Sequence, residues 1–288
     1  MQFEKFEALG NDFIIVRESE AGERRDFSHL ALQLCDRHFG VGADGVEMIL
    51  ENNLSPDSDL AVRLYNSDGG ETPISGNGTR CVAAWFYLRK SVSKPSVTIE
   101  TAAGKKRLSL KRKISDVECE FEMEMGKPFL ESREIPVLLE MPLERVIGQP
   151  LNLSTGTIRF TASSMGNPHC SIFVEDLNGL DWQQVGGEIE CHQLFPQRTN
   201  VEFIRVLDRS TIEVRFWERG VGRTLASGTG SCGAAIASIL NDRTDKEVTV
   251  RTEAGELRVE WRSDGIIYQT GRARYVFSGD WPEDSDRT

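Results

Sequence analysis

The chain has 288 residues and a mass of 32.2 kDa, room for one large domain or two of ordinary size. With 34 Lys+Arg against 45 Asp+Glu the formal net charge is −11, and 39% hydrophobic with 27% charged residues is the composition of a globular protein, not of a disordered or fibrous one. An acidic chain with pI near 5.0 is poorly matched to nucleic acid or an anionic membrane, and its longest apolar run, Cys81 to Leu88, is too short to span a bilayer. No nucleic-acid and no membrane partner is therefore expected. The opening residues carry Glu4 and Glu7 where a secretory signal would be basic and then apolar, so the expected location is cytoplasmic.

Taken in chain order, the pattern predicts a helix over Phe27 to Phe39, then a strand-like run DLAVRLYNSDGG that leads into a glycine-bearing loop. A helix follows over Gly78 to Leu88, then the alternating strand VTIET with an Ala-Gly turn. Gly126-Lys127-Pro128 interrupts the strand-like pattern near mid-chain. Beyond it lie TIRFTASS, VEFIRV and STIEVRFWERGVG, a helix over Ser231 to Leu240, and the strand VTVRT. The second half repeats the first. SGNGTRCVAAWFYL starts at Ser75 and SGTGSCGAAIASIL at Ser227, 227 − 75 = 152 residues later; VTIETAAGKKRLSLK starts at Val97 and VTVRTEAGELRVEWR at Val248, 248 − 97 = 151 later. Two blocks at nearly one offset indicate an internal duplication. The reading is an α+β protein of two pseudo-repeated domains, each a mostly antiparallel sheet or barrel wrapped around a central helix. The expected domains are residues 1–126 and 127–288, with the last ~14 residues returning to the first.

The Ser-Gly-x-Gly loops carry the chemical signal. A glycine-rich loop that feeds a helix presents backbone N–H groups and the positive end of the helix dipole to an anion. Two such loops suggest one small carboxylate held by two helix N-termini, with Ser75 and Ser227 facing it from opposite sides. That arrangement suits moving a proton from one face of a carbon to the other. Serine before a helix is also an ordinary cap that needs no chemistry.

Gly228-Thr-Gly230-Ser-Cys-Gly233 matches a dinucleotide fingerprint, but it follows a long loop with no surrounding βαβ unit, and the sister copy lacks the third glycine. His169-Cys170 and Cys191-His192 lack the two-to-four-residue spacing of structural zinc ligands. The six cysteines are expected as free thiols, Cys81 and Cys232 as buried apolar residues. No metal and no cofactor are expected.

Further polar clusters are Gly10-Asn11-Asp12-Phe13, Tyr65-Asn66-Ser67-Asp68-Gly69, Met165-Gly166-Asn167-Pro168-His169, Arg198-Thr199-Asn200-Val201-Glu202 and Trp217-Glu218-Arg219-Gly220. Singly, each reads as turn chemistry. Together with the stretch Arg37 to Gly45, with Gly76-Asn77-Gly78-x-Arg80-Cys81 and with Gly228-Thr229-Gly230, they run along nearly the whole chain and resemble the diaminopimelate epimerase family. The resemblance implies two similar domains with the site in the cleft between them, and a cofactor-independent isomerase of lysine and peptidoglycan precursor synthesis. It implies that Asn11, Asn66, Asn167, Asn200 and Arg219 hold the substrate. The backbone at Gly76-Asn77 and Gly228-Thr229 would bind the reacting carboxylate, and His169 and Glu218 would flank the reacting centre. The partner implied is a small amino acid; the family also allows a homodimer.

One departure bears on activity. The family places a cysteine before each of those Gly-Asn and Gly-Thr pairs, and this chain has Ser75 and Ser227 there. A helix N-terminus can lower a thiol to a working base, whereas a serine hydroxyl needs a partner base before it acts. Three readings follow: an epimerase whose serines work slowly or with help from His169 or Glu218; a related racemase or isomerase of another amino or carboxylic acid; or a ligand-binding homologue without turnover, including one disabled by exchange of cysteine for serine.

Overall fold

The computed structural model describes every residue except 23–25, 52–53, 91, 180 and 283–288. The chain forms two compact units. One comprises Met1–Met123 with Gly271–Thr288, the other Glu124–Thr270.

In the first unit, β1 (Gln2–Ala8), β2 (Asn11–Arg17), β3 (Gly45–Leu50), β4 (Leu60–Asn66), β6 (Ser96–Thr101), β7 (Gly104–Lys113) and β8 (Glu118–Gly126) pair in that order. The short β5 (Glu71–Thr72) lies on β4. The last segment of β17 (Ile267–Asp280) pairs with both β8 and β1 and so closes the barrel. The β2–β3 and β4–β6 pairs are parallel and the others with a printed register antiparallel. Helix α2 (Gly76–Arg89) is buried along Asn77 to Tyr87. A helix enclosed on all sides needs no polar face, which explains its run of small and apolar residues. Helix α1 (Phe27–Cys35) is capped by Asp26, whose carboxylate accepts from His29 N at 3.0 Å.

The second unit is built the same way. The order is β9 (Val146–Leu153), β10 (Gly156–Ser164), β11 (Pro168–Phe173), β12 (Asn200–Asp208), β13 (Thr211–Glu218), β15 (Glu247–Thr252), β16 (Gly255–Trp261) and the first residues of β17, with β14 (Gly222–Thr224) on β13. The β11–β12 and β13–β15 pairs are parallel. Helix α4 (Gly228–Leu240) packs its Cys232 to Ala237 face against Ile204, Val214, Val250 and Val259, while α3 (Trp182–Glu190) packs on the opposite core of Phe160, Ile172 and Phe203. Both units thus have strands around a central helix, the α+β architecture expected from the repeat.

Three local expectations need correction. The helix expected to run to Phe39 stops at Cys35, because Asp36 Oδ1 accepts from His38 N (2.7 Å) and Phe39 N (2.8 Å) and turns the chain. The two central helices start at Gly76 and Gly228 rather than at Gly78 and Ser231: the glycines form the first turn, held by the serine caps. Helix α3 was not anticipated; it has two central glycines, poor helix formers, and packing requires the first of them, since a Cβ at Gly186 would lie 2.8 Å from the Trp217 ring. Among the described residues, no helix is long and apolar enough to cross a membrane.

Candidate active site

The N-terminal unit presents Ser75 as the cap of α2. Its backbone is extended (φ −124°, ψ 126°) and its Oγ accepts from Gly78 N at 3.1 Å. Behind it, Asn77 Nδ2 donates to Asn11 Oδ1 (2.6 Å), Asn11 Nδ2 donates to Asp44 Oδ2 (3.1 Å), and the buried Arg80 donates to Asn77 Oδ1. Gly10 at φ +77° supplies the left-handed turn that delivers Asn11 to the start of β2. Arg37 spans Asp12 and Asp44, and Lys5 Nζ lies 2.7 Å from Asp12. Burial alone would raise the Asp12 carboxyl, but the bonds from Arg37 and Lys5 outweigh it and hold Asp12 below the usual carboxylate range. Asn66, at the exposed end of β4, donates to Thr72 Oγ1 at 2.6 Å and stands apart from this network.

In the C-terminal unit Ser227 caps α4 in the same way, accepting from Gly230 N at 3.2 Å. Its own hydroxyl donates to Glu218 Oε2 at 3.1 Å, and Glu218 Oε1 accepts from Thr224 Oγ1 at 2.6 Å. The cap uses a lone pair of the serine oxygen and leaves the hydroxyl hydrogen for the carboxylate, so capping and acid–base chemistry are compatible. Gly228 O is held by Gln269 Nε2 at 2.7 Å.

The second cluster of that unit centres on His169, which is fully buried, as is Glu202. His169 Nδ1 lies 2.6 Å from Glu202 Oε1, and Ser171 Oγ donates to Glu202 Oε2 at 2.9 Å. Burial raises the Glu202 carboxyl above its ordinary value, opposed by its bonds to His169 and Ser171. Asn167 Nδ2 donates to Thr229 Oγ1 (3.3 Å), which turns Asn167 Oδ1 toward His169 Nε2 (3.1 Å). The buried imidazole is thus held at both ring nitrogens, by Glu202 at Nδ1 and by Asn167 at Nε2.

Asn200 Nδ2 donates to Pro168 O (2.9 Å) and its Oδ1 accepts from Arg219 N (3.0 Å), while Arg219 Nη1 donates to Gln197 O (3.0 Å). Arg198 at φ +58° gives the bend that aims Asn200 inward. Glu190 of α3 accepts from Trp217 Nε1 (2.8 Å), Gly220 N (2.9 Å) and Arg198 Nη1 (3.3 Å), and so fixes the loop that carries Arg219. Burial works against its charge, but those three donors hold its carboxyl below the usual range.

The structure joins Ser227 to Glu218, Asn167 to His169 and Thr229, Asn200 to Arg219, and Asn11 to Asn77. Sequence reasoning missed Glu202, Glu190, Gln269 and the Arg37–Asp12–Asp44 cluster. Glu202 lay inside a quoted motif, and its alternation with apolar neighbours along a strand was the available signal. Cys81 and Cys232 are buried beneath the first turns of their helices, as expected.

The fold is shared with solved structures of distant sequence. A probable proline racemase from Agrobacterium radiobacter superposes with TM-score 0.66 at 17% identity, over 99% of this chain and 94% of that one. A phenazine biosynthesis protein of the PhzF family from Bacillus anthracis gives TM-score 0.67 at 17% identity, over 98% and 99%. The sequence is more specific. The model of the family described as diaminopimelate epimerase matches residues 3–130 and 161–276. The chain is 46% identical over 283 residues to a diaminopimelate epimerase of Pelotomaculum thermopropionicum, covering 98% of this chain and 99% of that protein. It is 43% identical over 288 residues to one of Desulfitobacterium hafniense, covering 99% of each. The chain belongs to the diaminopimelate epimerase family and is, by that membership, an isomerase.

Proposed function

We propose that this protein interconverts LL- and meso-diaminopimelate by cofactor-independent transfer of the α-proton, a step in making lysine and peptidoglycan precursors. The observation that carries this reading is the Ser227 hydroxyl donating to Glu218 while α4 holds the same oxygen in place. It supplies the partner base that serine needs.

Inversion at a carbon needs one group to remove the proton and another to return it on the opposite face. We assign these roles to Ser227 and Ser75. When Ser227 acts as base, its oxygen takes the α-hydrogen as its own proton passes to Glu218; the electron pair of the broken C–H bond stays on the α-carbon and spreads into the α-carboxylate. The N–H groups at Gly76-Asn77 and Gly228-Thr229 take up that developing charge. His169, held by Glu202 and Asn167, flanks the reacting centre. Asn11, Asn66, Asn167, Asn200 and Arg219 hold the far amino acid end; a guanidinium suits a carboxylate there. The substrate is a small polar amino acid, consistent with a cytoplasmic setting and with no nucleic-acid or membrane partner. A homodimer is part of the same proposal, and size-exclusion with light scattering decides it.

The test is α-proton exchange. The protein is incubated in D₂O with LL- or meso-diaminopimelate, and the α-hydrogen signal is followed by NMR. Loss of signal above a protein-free control supports the assignment. Tight binding without exchange would make the chain a ligand-binding relative. Absence of both binding and exchange would overturn the substrate assignment.

A further inference from the structure

Glu202 is a fully buried acid paired with a ring that flanks the proposed reacting centre. It stands on β12 beside His169 and Ser171 of β11, both also buried. Its Oε1 lies 2.6 Å from His169 Nδ1, and its Oε2 accepts from Ser171 Oγ at 2.9 Å. Both carboxyl oxygens are thus taken up by side chains out of reach of solvent. Keeping an acid inside a protein is costly, and here two further polar side chains are buried with it.

A chain of contacts leads from this acid to the start of α4. His169 Nε2 lies 3.1 Å from Asn167 Oδ1, and Asn167 Nδ2 lies 3.3 Å from Thr229 Oγ1 in the first turn of that helix. The helix also lies directly on the imidazole: a Cβ on Gly233 would fall 2.9 Å from His169 Cγ, so glycine there leaves the ring its place. Glu202 therefore stands at the inner end of a run of four side chains, Glu202, His169, Asn167 and Thr229. Its far end is the turn assigned above to the reacting carboxylate. In an imidazole the bond made at one nitrogen decides what the other can offer, so whatever holds Nδ1 also sets Nε2.

The repeat shows that this arrangement is particular to the second unit. There Ser171 faces Glu202 across β11–β12, with His169 two residues earlier opposite Asn200. In the first unit Ile15 faces Glu47 across β2–β3, with Phe13 two residues earlier opposite Gly45. The two parallel pairs correspond, so Glu47 is the counterpart of Glu202, Phe13 of His169 and Ile15 of Ser171. Gly233 corresponds to Cys81, since 233 − 81 = 152 and 227 − 75 = 152. Glu47 is buried too, but its Oε2 has no hydrogen-bond partner among the described residues. The acid is common to both units. The imidazole, the hydroxyl and the glycine that admits the ring belong to one.

We propose that Glu202 is a positioning residue for His169: its carboxylate accepts the Nδ1 proton, locks the ring plane and keeps Nε2 on Asn167 and the first turn of α4. Ser171 holds the other carboxyl oxygen and so fixes the acid that fixes the ring. Asn167 passes the constraint to Thr229, and with it to the backbone N–H groups that take up charge from the α-carboxylate. Being fully buried, Glu202 acts only through His169. A ring already held in place needs no reorganisation when charge develops beside it.

This inference rests on the isomerase reading, so the experiment separates the two. Glu202→Gln keeps the shape but turns an amide N–H toward Nδ1, which then has to accept. It is expected to lower kcat roughly 10²-fold or more with KM little changed. His169→Gln should cost about as much, and Glu202→Gln added to it should cost little more, because residues that act as one unit are not additive. An acid with a structural role alone would lower the thermal midpoint and cost the same factor with or without His169. A second readout needs neither turnover nor a folded variant: the ¹⁵N spectrum of histidine-labelled wild type. His29, His38 and His192 are not buried, so the ring signals protected from solvent exchange belong to His169. Its Nδ1 should carry a far-downfield proton, which Glu202→Gln removes. Wild-type kcat in Glu202→Gln, equal losses with and without His169, or an Nδ1 that is bare in the wild type would each overturn the proposal. If the wild type neither binds nor exchanges diaminopimelate, the isomerase reading fails, while the ring spectrum still decides whether Glu202 holds the Nδ1 proton.

Discussion

Glu218→Gln tests the acid–base assignment with little structural disturbance. Glu218 Oε1 accepts from Thr224 and Oε2 from Ser227. In the glutamine variant the oxygen can still accept from Thr224, but the amide nitrogen must donate to Ser227 Oγ. The direction of that second bond reverses, and Ser227 loses the acceptor for its proton. A lost general base costs about 10²–10⁴ in rate, equivalent to roughly 3–5 kcal/mol of barrier at 1.36 kcal/mol per decade. A bond to a carboxylate exchanged for one to a neutral amide changes stability by about 1–2 kcal/mol, which moves the Tm by roughly 2–8 °C. The measurements are deuterium incorporation at the α-carbon by NMR and a thermal melt on the same sample. Ser227→Ala is the companion variant. It removes base and cap together and should lose turnover along with about 1 kcal/mol of stability. Exchange at the wild-type rate in Glu218→Gln would show that the Ser227–Glu218 bond is only structural.

Restoring thiols at both caps, Ser75→Cys with Ser227→Cys, should raise exchange by about two orders of magnitude or more, because a thiol near pKa 8.5 at a helix N-terminus ionises where a hydroxyl does not; an inert double variant that still binds would remove the serines from the reaction. Asn200→Ala strips partners from the buried Pro168 carbonyl and from Arg219 N, so chemical denaturation should reveal a loss of about 1–3 kcal/mol, and calorimetry a weakened ligand affinity. Glu47 gives a pH signature in stability. Its folded pKa, raised from 4.5 to about 8, means that its contribution is fully present below the unfolded value and is lost as pH rises through that window. At 1.36 kcal/mol per unit the loss is about 5 kcal/mol at most. Glu47→Leu should flatten the fall in denaturation midpoint between pH 4.5 and 8; an equally steep fall would place the titrating group elsewhere.

The duplication made the architecture legible, because each central helix and the strands after it appear twice at nearly one spacing. What escaped was set by tertiary contact. Helix α3 has Gly186 and Gly187 in its middle, which local propensity rejects; the Trp217 ring demands the first, and the Asp181 carboxylate secures the start by accepting from Gln184 N. The first turns of α2 and α4 read as loop because glycines precede the apolar run, and only the serine caps turn them into helix. The motif asparagines were legible as a set, but what each one does was not. Asn200 and Asn11 spend their amides on neighbouring protein groups, which shape the site before any ligand arrives. Glu47 was hidden because a lone acid in a short apolar strand looks like a solvent-facing residue until the burial of both strand faces is known.

The path of the chain also sets an order of assembly. The polypeptide leaves the first unit in β8, builds the whole of the second, and returns only in β17. Everything the second unit needs has emerged from the ribosome before the last strand of the first barrel has been synthesised. Until that strand arrives, β1 and β8 are open sheet edges, able to pair with any passing strand. The nascent N-terminal unit is thus the part most exposed to misassembly, although it is made first. A messenger truncated just before Gly271 would yield a second unit with its own core and a first unit lacking its closing strand, and the product should accumulate as aggregate rather than as a shortened protein.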